Sequence, residues 1–248
     1  MSNPWEKISL DDYEKHMSLD SVHQLQTMNL IMKKQFEAYP VETVMVLGIA
    51  GGNGLEHVRT DKYQEVYGID INADYLHEIP GRYPQLLNVL HCLHLDLVNE
   101  SERLPHAELV IANLLIEYIG YKAFQKAIEQ VSPKIISCVI QINTDENQWV
   151  SDSPYLHAFD GLDEIHHQME VDTLTDRMKE IGYSFILKEK KIFQMEKHWY
   201  DWIIRFLKLE RFCTTSHSNS RFLILQKNAL MNWVRNLSLT EGTDSITI

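Results

Sequence analysis

Three kinds of side chain stand in patterns that can do chemistry: glycines crowded behind an apolar run, carboxylates closing apolar runs, and neighbouring histidines. Gly48, Gly51, Gly52 and Gly54 fall within seven residues and are four of the chain's ten glycines. They follow Val44–Leu47, a run of the kind a buried strand requires. Glycines in that place let the backbone turn sharply and approach a ligand with no Cβ between them. Asp70 closes the next apolar run, Glu65-Val66-Tyr67-Gly68-Ile69-Asp70, 18 residues beyond Gly52. A carboxylate at the tip of a second strand can accept hydrogen bonds from both hydroxyls of a ribose. His91, Cys92 and His94 look like metal ligands, but alternation along a strand sends His91 to the face opposite Cys92 and His94, so no metal site is expected. His166-His167 could supply a general base, yet adjacent histidines on a polar loop read more simply as solvated. No residue is assigned a catalytic role.

The glycine spacing excludes two phosphate-binding loops. A dinucleotide fingerprint requires Gly-x-Gly-x-x-Gly; counting from Gly48, its later places hold Ala50 and Asn53. A P-loop requires Gly-Lys-Ser or Gly-Lys-Thr, and neither follows. Thr43 to Val58 instead resembles motif I of the class I S-adenosylmethionine-dependent methyltransferases, in which apolar residues and an acid precede Gly-x-Gly-x-Gly. Gly48, Ala50 and Gly52 stand at the glycine places, and Asn53-Gly54 extends the turn. Val46 stands where the family usually has an acid, which supports the glycine loop and the methionine end of the cofactor, and Ala50 replaces the central glycine.

The resemblance implies S-adenosyl-L-methionine as the cofactor. Its binding residues would be Gly48, Ala50, Gly52 and Asn53 in the loop, Asp70 and Ile71 after the second strand, and Asp96 and Leu97 after the third, where the family reads the adenine. Asn113 ends the fourth strand, at the place of motif IV, which borders the sulfonium and the acceptor. Leu114-Leu115-Ile116 follows it in place of Pro-Pro-Tyr, which argues against methylation of nucleic-acid bases. Glu117 and Tyr118 are candidates for the substrate pocket, or else a helix-start acid and a packing aromatic. Tyr13 and His16 are candidates from an N-terminal segment of the kind that covers the cofactor in this family.

These residues need a scaffold. Apolar runs near residues 44, 66, 89, 109, 136, 185 and 222 alternate with helical patterns. They predict a doubly wound α/β fold: a mostly parallel, seven-stranded, Rossmann-like sheet with an N-terminal helical cap. Leu55-Glu56-His57-Val58 is expected to open a helix after the glycine loop. Leu19 to Ala38 repeats apolar residues at helical spacing, with Ser18 or Asp20 as its cap and Tyr39-Pro40 as its end. Residues 1–17 lack an apolar face yet hold Trp5, Tyr13 and His16, as a flexible lid would. The run 199–209 fits a helix or a strand. The expected division is 1–39 as a helical cap or lid, 40–227 as the catalytic domain and 228–248 as a helical or frayed tail.

Composition narrows the partners. With 35 acidic against 23 basic residues the formal charge is −12, which works against a polyanion such as nucleic acid. No apolar run approaches the roughly 18 residues that cross a membrane, and the first residues hold no apolar signal core, so the expected location is cytoplasmic. Cys92 and Cys138 sit in strand-like runs, where a reduced buried thiol is expected. The expected function is methyl transfer from S-adenosylmethionine to a small-molecule acceptor. Its rivals are a non-catalytic S-adenosylmethionine-binding protein and an NAD-dependent oxidoreductase.

Overall fold

Among the described residues seven strands form one sheet: β1 (Thr43–Leu47), β2 (Glu65–Asp70), β3 (Leu90–His94), β4 (Leu109–Asn113), β5 (Ile135–Asn143), β6 (Tyr183–Lys191) and β7 (Trp199–Lys208). The structure is a computed structural model that describes residues 3–143, 150, 152–191 and 199–208. The strand order is β3-β2-β1-β4-β5-β7-β6. The pairs from β3 to β5 are parallel, and β7 runs antiparallel between β5 and β6. The fold is therefore the doubly wound, mostly parallel α/β arrangement. Val44 to Leu47 and Leu109 to Ala112 are buried on both faces, which is why these strands read as unbroken apolar runs. Strand order reverses between β1 and β4, so the segments leaving their carboxyl ends diverge and open a crevice.

Helices α1 (Leu10–Ser18) and α2 (Gln24–Glu37) precede the sheet, and α3 (Ala73–Arg82), α4 (Ile116–Val131) and α5 (Val171–Glu180) join later strands. Met1–Leu209 form one compact unit. No helix among the described residues is long and apolar enough to cross a membrane.

Several expectations are corrected. Leu19 to Ala38 is not one helix: α1 ends at Ser18, and α2 begins at Gln24 behind His23, whose φ of 50° is left-handed. Neither Ser18 nor Asp20 caps α2. Residues 1–17 are not without a packed face, because Ile8 and His16 are buried and Ile8 joins Phe159 and Leu162 in one apolar cluster. The helix expected from Leu55 is a single 3-10 turn, Leu55–His57. The reason is α2, which lies where that helix would pack: a Cβ at Gly54 would stand 2.8 Å from Met32, and Asn29 binds the side chains of Asn53 and His57. The run near 199 is a strand, β7, which supplies the seventh member of the sheet. The strand expected near 222 and the tail 228–248 lie outside the described residues.

Candidate functional site

A cavity opens at the carboxyl ends of β1, β2, β4 and β5, roofed by the N-terminal segment. Its first end is made by the glycine loop and the tips of β2 and β3. The loop is held to β2 by backbone bonds, with the N–H groups of Gly48 and Ile49 both donating to the Ile69 carbonyl. The Asp70 carboxylate accepts the Ala50 N–H at 2.8 Å with one oxygen and the Asn72 N–H at 2.9 Å with the other. Support for the loop that the usual acid would give from β1, where buried Val46 stands, thus comes from β2. Burial raises the Asp70 pKa, and the backbone donors work against that rise. A ligand hydroxyl donating to either oxygen would oppose it further. Ala50 has a φ of 47°, a left-handed conformation that favours glycine over any residue with a Cβ.

Of the residues expected here, Gly48, Ala50, Asn53, Asp70, Ile71, Asp96, Leu97 and Asn113 line the cavity, and Gly52 does not. Gly52 turns away from it; at φ 87° a Cβ there would meet the Tyr83 ring at 2.7 Å, so packing demands this glycine. The Asn113 side chain is already engaged, exchanging two hydrogen bonds of 2.8 and 2.9 Å with the Gln35 amide. Asn53 donates from its side chain to the Leu25 carbonyl and so ties the loop to α2. Asp96 accepts from the Val98 N–H and the Asn99 amide, which shapes the turn after β3. Gln24 and Leu25, at the start of α2, also line the cavity, and no side chain caps that helix.

The second end is aromatic and lies across the crevice. Trp5 stands edge-on to Tyr118 at 4.9 Å and to Tyr13 at 6.1 Å, while Phe159 packs on His16 at 4.6 Å. Tyr13, His16, Glu117 and Tyr118, the expected pocket residues, all line the cavity, and Tyr13 has Asp70 and Glu14 as its electrostatic neighbours. His16 is buried, its Nδ1 is 2.7 Å from the Ser153 hydroxyl, and burial lowers its pKa. Glu117, 3% exposed, sits at the start of α4. Its Oε1 accepts the Gln141 N–H at 2.5 Å, and its Oε2 is buried with no hydrogen-bond partner. Burial pushes its pKa up to about 7. Burial also raises the Tyr13 and Tyr118 hydroxyls above their ordinary value.

His166 lines the cavity too, 5.9 Å from the Tyr118 ring, and burial lowers its pKa. The reading of both adjacent histidines as solvated therefore holds for exposed His167 and not for His166. The signal that could have found it is the apolar spacing of Phe159 and Leu162, which bury a 3-10 segment, Leu156–Glu164, and carry the loop back over the site. His91, Cys92 and His94 do not converge: His91 pairs with Glu65 at 2.5 Å, and His94 bonds the Ile71 carbonyl at 2.8 Å. Among the described residues no cluster of metal-binding side chains occurs.

No protein-family model matches the chain, and no curated protein does. Solved structures do match. Magnesium protoporphyrin IX methyltransferase from Synechocystis PCC 6803, with bound S-adenosylhomocysteine, is similar over 84% of this chain and 97% of its own, with 13% identity and a TM-score of 0.60. The N-methyltransferase NodS from Bradyrhizobium japonicum WM9, also bound to S-adenosylhomocysteine, covers 81% of this chain and 98% of its own, at 12% identity and a TM-score of 0.57. The [4+2]-cyclase SpnF covers 74% of this chain and 82% of its own, at 10% identity and a TM-score of 0.56. The chain has the fold shared by these proteins, a class I methyltransferase fold, and one of them is named for a cyclisation.

Proposed function

We propose that this protein is an S-adenosylmethionine-dependent methyltransferase acting on a small-molecule acceptor. The observation that carries the reading is the first end of the cavity, where the loop after β1, Asp70 at the tip of β2 and Asp96-Leu97 after β3 face one crevice at the reversal of strand order. That is where a doubly wound sheet holds a nucleoside. Each Asp70 oxygen has accepted one backbone N–H and keeps a lone pair for a ribose hydroxyl. Uncapped first-turn N–H groups of α2 at Gln24 and Leu25 suit the carboxylate of the ligand's amino-acid part. Asp70 and Asp96 line the cavity, and no Lys or Arg does among the described residues, which suits a positively charged sulfonium.

S-adenosylmethionine would bring an activated methyl group, passed in line from sulfur to a nucleophile. The chain's part is alignment, which at good geometry contributes about 7–11 kcal/mol. The roof formed by α1, residues 3–8 and the 3-10 segment covers the crevice and limits the acceptor to a small molecule rather than a polymer. The acidic lining and the charge of −12 also speak against nucleic acid. The free thiols Cys92 and Cys138 fit the reducing cytoplasm.

A second reading, a protein that binds the cofactor without transferring methyl, is favoured by Val46 and by the left-handed Ala50 in the loop. Calorimetry with S-adenosylhomocysteine and with NADH tests the cofactor, and turnover of labelled S-adenosylmethionine with an acceptor panel tests the transfer. Micromolar binding of S-adenosylhomocysteine, about −8 kcal/mol, with none of NADH is the expected result. Heat with NADH alone would overturn both readings.

A further inference from the structure

The second end of the cavity has a composition that the cofactor does not explain. Counting from β2, where Asp70 sits, to β5, where Glu117 bonds Gln141, the sheet takes three strand steps. At the usual strand spacing that separates β2 from β5 by roughly 14 Å. A nucleoside seated on Asp70 and Asp96 therefore leaves Glu117 to whatever enters beside it.

Glu117 stands at one end of a row of aromatic rings that begins with its chain neighbour Tyr118. Trp5 and Tyr118 meet at right angles, Tyr13 closes on Trp5, and Phe159 lies under His16. Beside Tyr118 is the second oxygen of Glu117, a carboxylate oxygen that is buried and without a hydrogen-bond partner. An ionised carboxylate left so is costly unless a donor or a cation meets it. No donor of the described lining bonds this oxygen, no Lys or Arg reaches the cavity, and burial disfavours the charged forms of His16 and His166.

We propose that the acceptor is a small primary or secondary amine, received as its ammonium ion by Glu117 and the neighbouring Tyr118 and Trp5 rings. An ammonium brings the missing charge and the missing N–H donors together, and aromatic faces attract a desolvated cation. A carboxylate or phosphate acceptor would be repelled by Glu117. An alcohol would supply a donor without the charge. The inference rests on the methyltransferase reading for its chemistry, which runs as follows. An N–H proton of the ammonium passes to Glu117 Oε2 and leaves the nitrogen lone pair free. The N–C bond forms as the methyl C–S bond breaks, and its electron pair stays on sulfur as a neutral thioether. The product departs as the methylated ammonium, and the proton on Glu117 returns to water.

The test is calorimetry with a series of primary amines from ethylamine to phenethylamine, each with its matching alcohol and carboxylic acid. It is run on the whole protein, free and saturated with S-adenosylhomocysteine. Expected is at least one amine that binds about tenfold or more tightly than both partners, a difference of about 1.4 kcal/mol. Glu117→Gln should erase the preference and leave S-adenosylhomocysteine affinity within about twofold. Trp5→Leu should weaken the amine more than its alcohol, which keeps the test intact if the Glu117 variant folds poorly. Alcohols or acids binding as well as amines, or no amine binding to a protein that takes up S-adenosylhomocysteine, would overturn the amine proposal alone. Amine preference without S-adenosylhomocysteine binding would overturn the methyltransferase reading and leave the ammonium site standing.

Discussion

The two ends of the cavity are built by different means. The glycine-loop end comes from short stretches that each follow a buried strand, and backbone groups do much of its work. Ala50 and Asn72 donate N–H groups to Asp70, and the loop hangs from the Ile69 carbonyl. The aromatic end is assembled from side chains that are far apart in sequence: Trp5, Glu117, Phe159 and His166. The first end is set by strand order and is common to the fold. The second is set by long-range packing, and it is where this chain can choose its acceptor.

That contrast can be broken in graded ways. The largest effect is expected at the roof of the aromatic end. Ile8→Ala, which opens a hole against Phe159 and Leu162, should cost about 2–5 kcal/mol in denaturant unfolding. A loss below about 1 kcal/mol would mean that the roof is a loose lid after all.

Next comes the charge buried at that end. Glu117 has its pKa raised by burial from 4.5 to about 7, with the thiol of Cys138 and the hydroxyls of Tyr118 and Tyr121 as its electrostatic neighbours. The folded state holds this proton more tightly than the unfolded state. Its stabilising share is complete below pH 4.5 and is lost as pH rises through about 7. Over that window the loss is on the order of 3 kcal/mol. Stability measured against pH should fall across the window in the wild type and fall less in Glu117→Gln. Parallel curves for the two proteins would show that Glu117 is solvated.

At the loop end, Asp70→Ala should weaken S-adenosylhomocysteine binding by about 1.5–3 kcal/mol, the worth of hydrogen bonds to a charged group. An unchanged affinity would remove the ribose from Asp70. The smallest effect is expected from Ala50→Gly, which relieves a left-handed alanine and should raise stability by about 1 kcal/mol with affinity kept within about tenfold. A loss of stability there would mean that the alanine methyl packs usefully.

The same contrast governs what could be read from sequence. The loop end was legible because its residues follow strands whose apolar runs are unmistakable, and because Asp70 closes one of them. Gly52 lies outside the cavity lining, and spacing cannot tell a glycine that faces a cavity from one that meets Tyr83. The break between α1 and α2 was hidden by Val22, which is buried and keeps the apolar spacing going while His23 turns left-handed. β7 was ambiguous because it lies between two strands: Ile203, Ile204, Arg205 and Phe206 are all buried, so the alternation of a half-exposed strand is erased. Tyr13, His16, Glu117 and Tyr118 were nameable as candidates. The unpartnered oxygen of Glu117 and the return of His166 depend on tertiary contacts that no local pattern records.

The most direct test of a two-ended cavity is amide hydrogen exchange with and without S-adenosylhomocysteine. Protection should appear in the loop at 48–53 and behind β2 and β3 at 70–72 and 96–98, with the first turn of α4 and the segment 155–166 nearly unchanged until an amine is added. Protection centred on α4 and 155–166, or spread evenly over both ends, would contradict the division of the cavity into a cofactor end and an acceptor end.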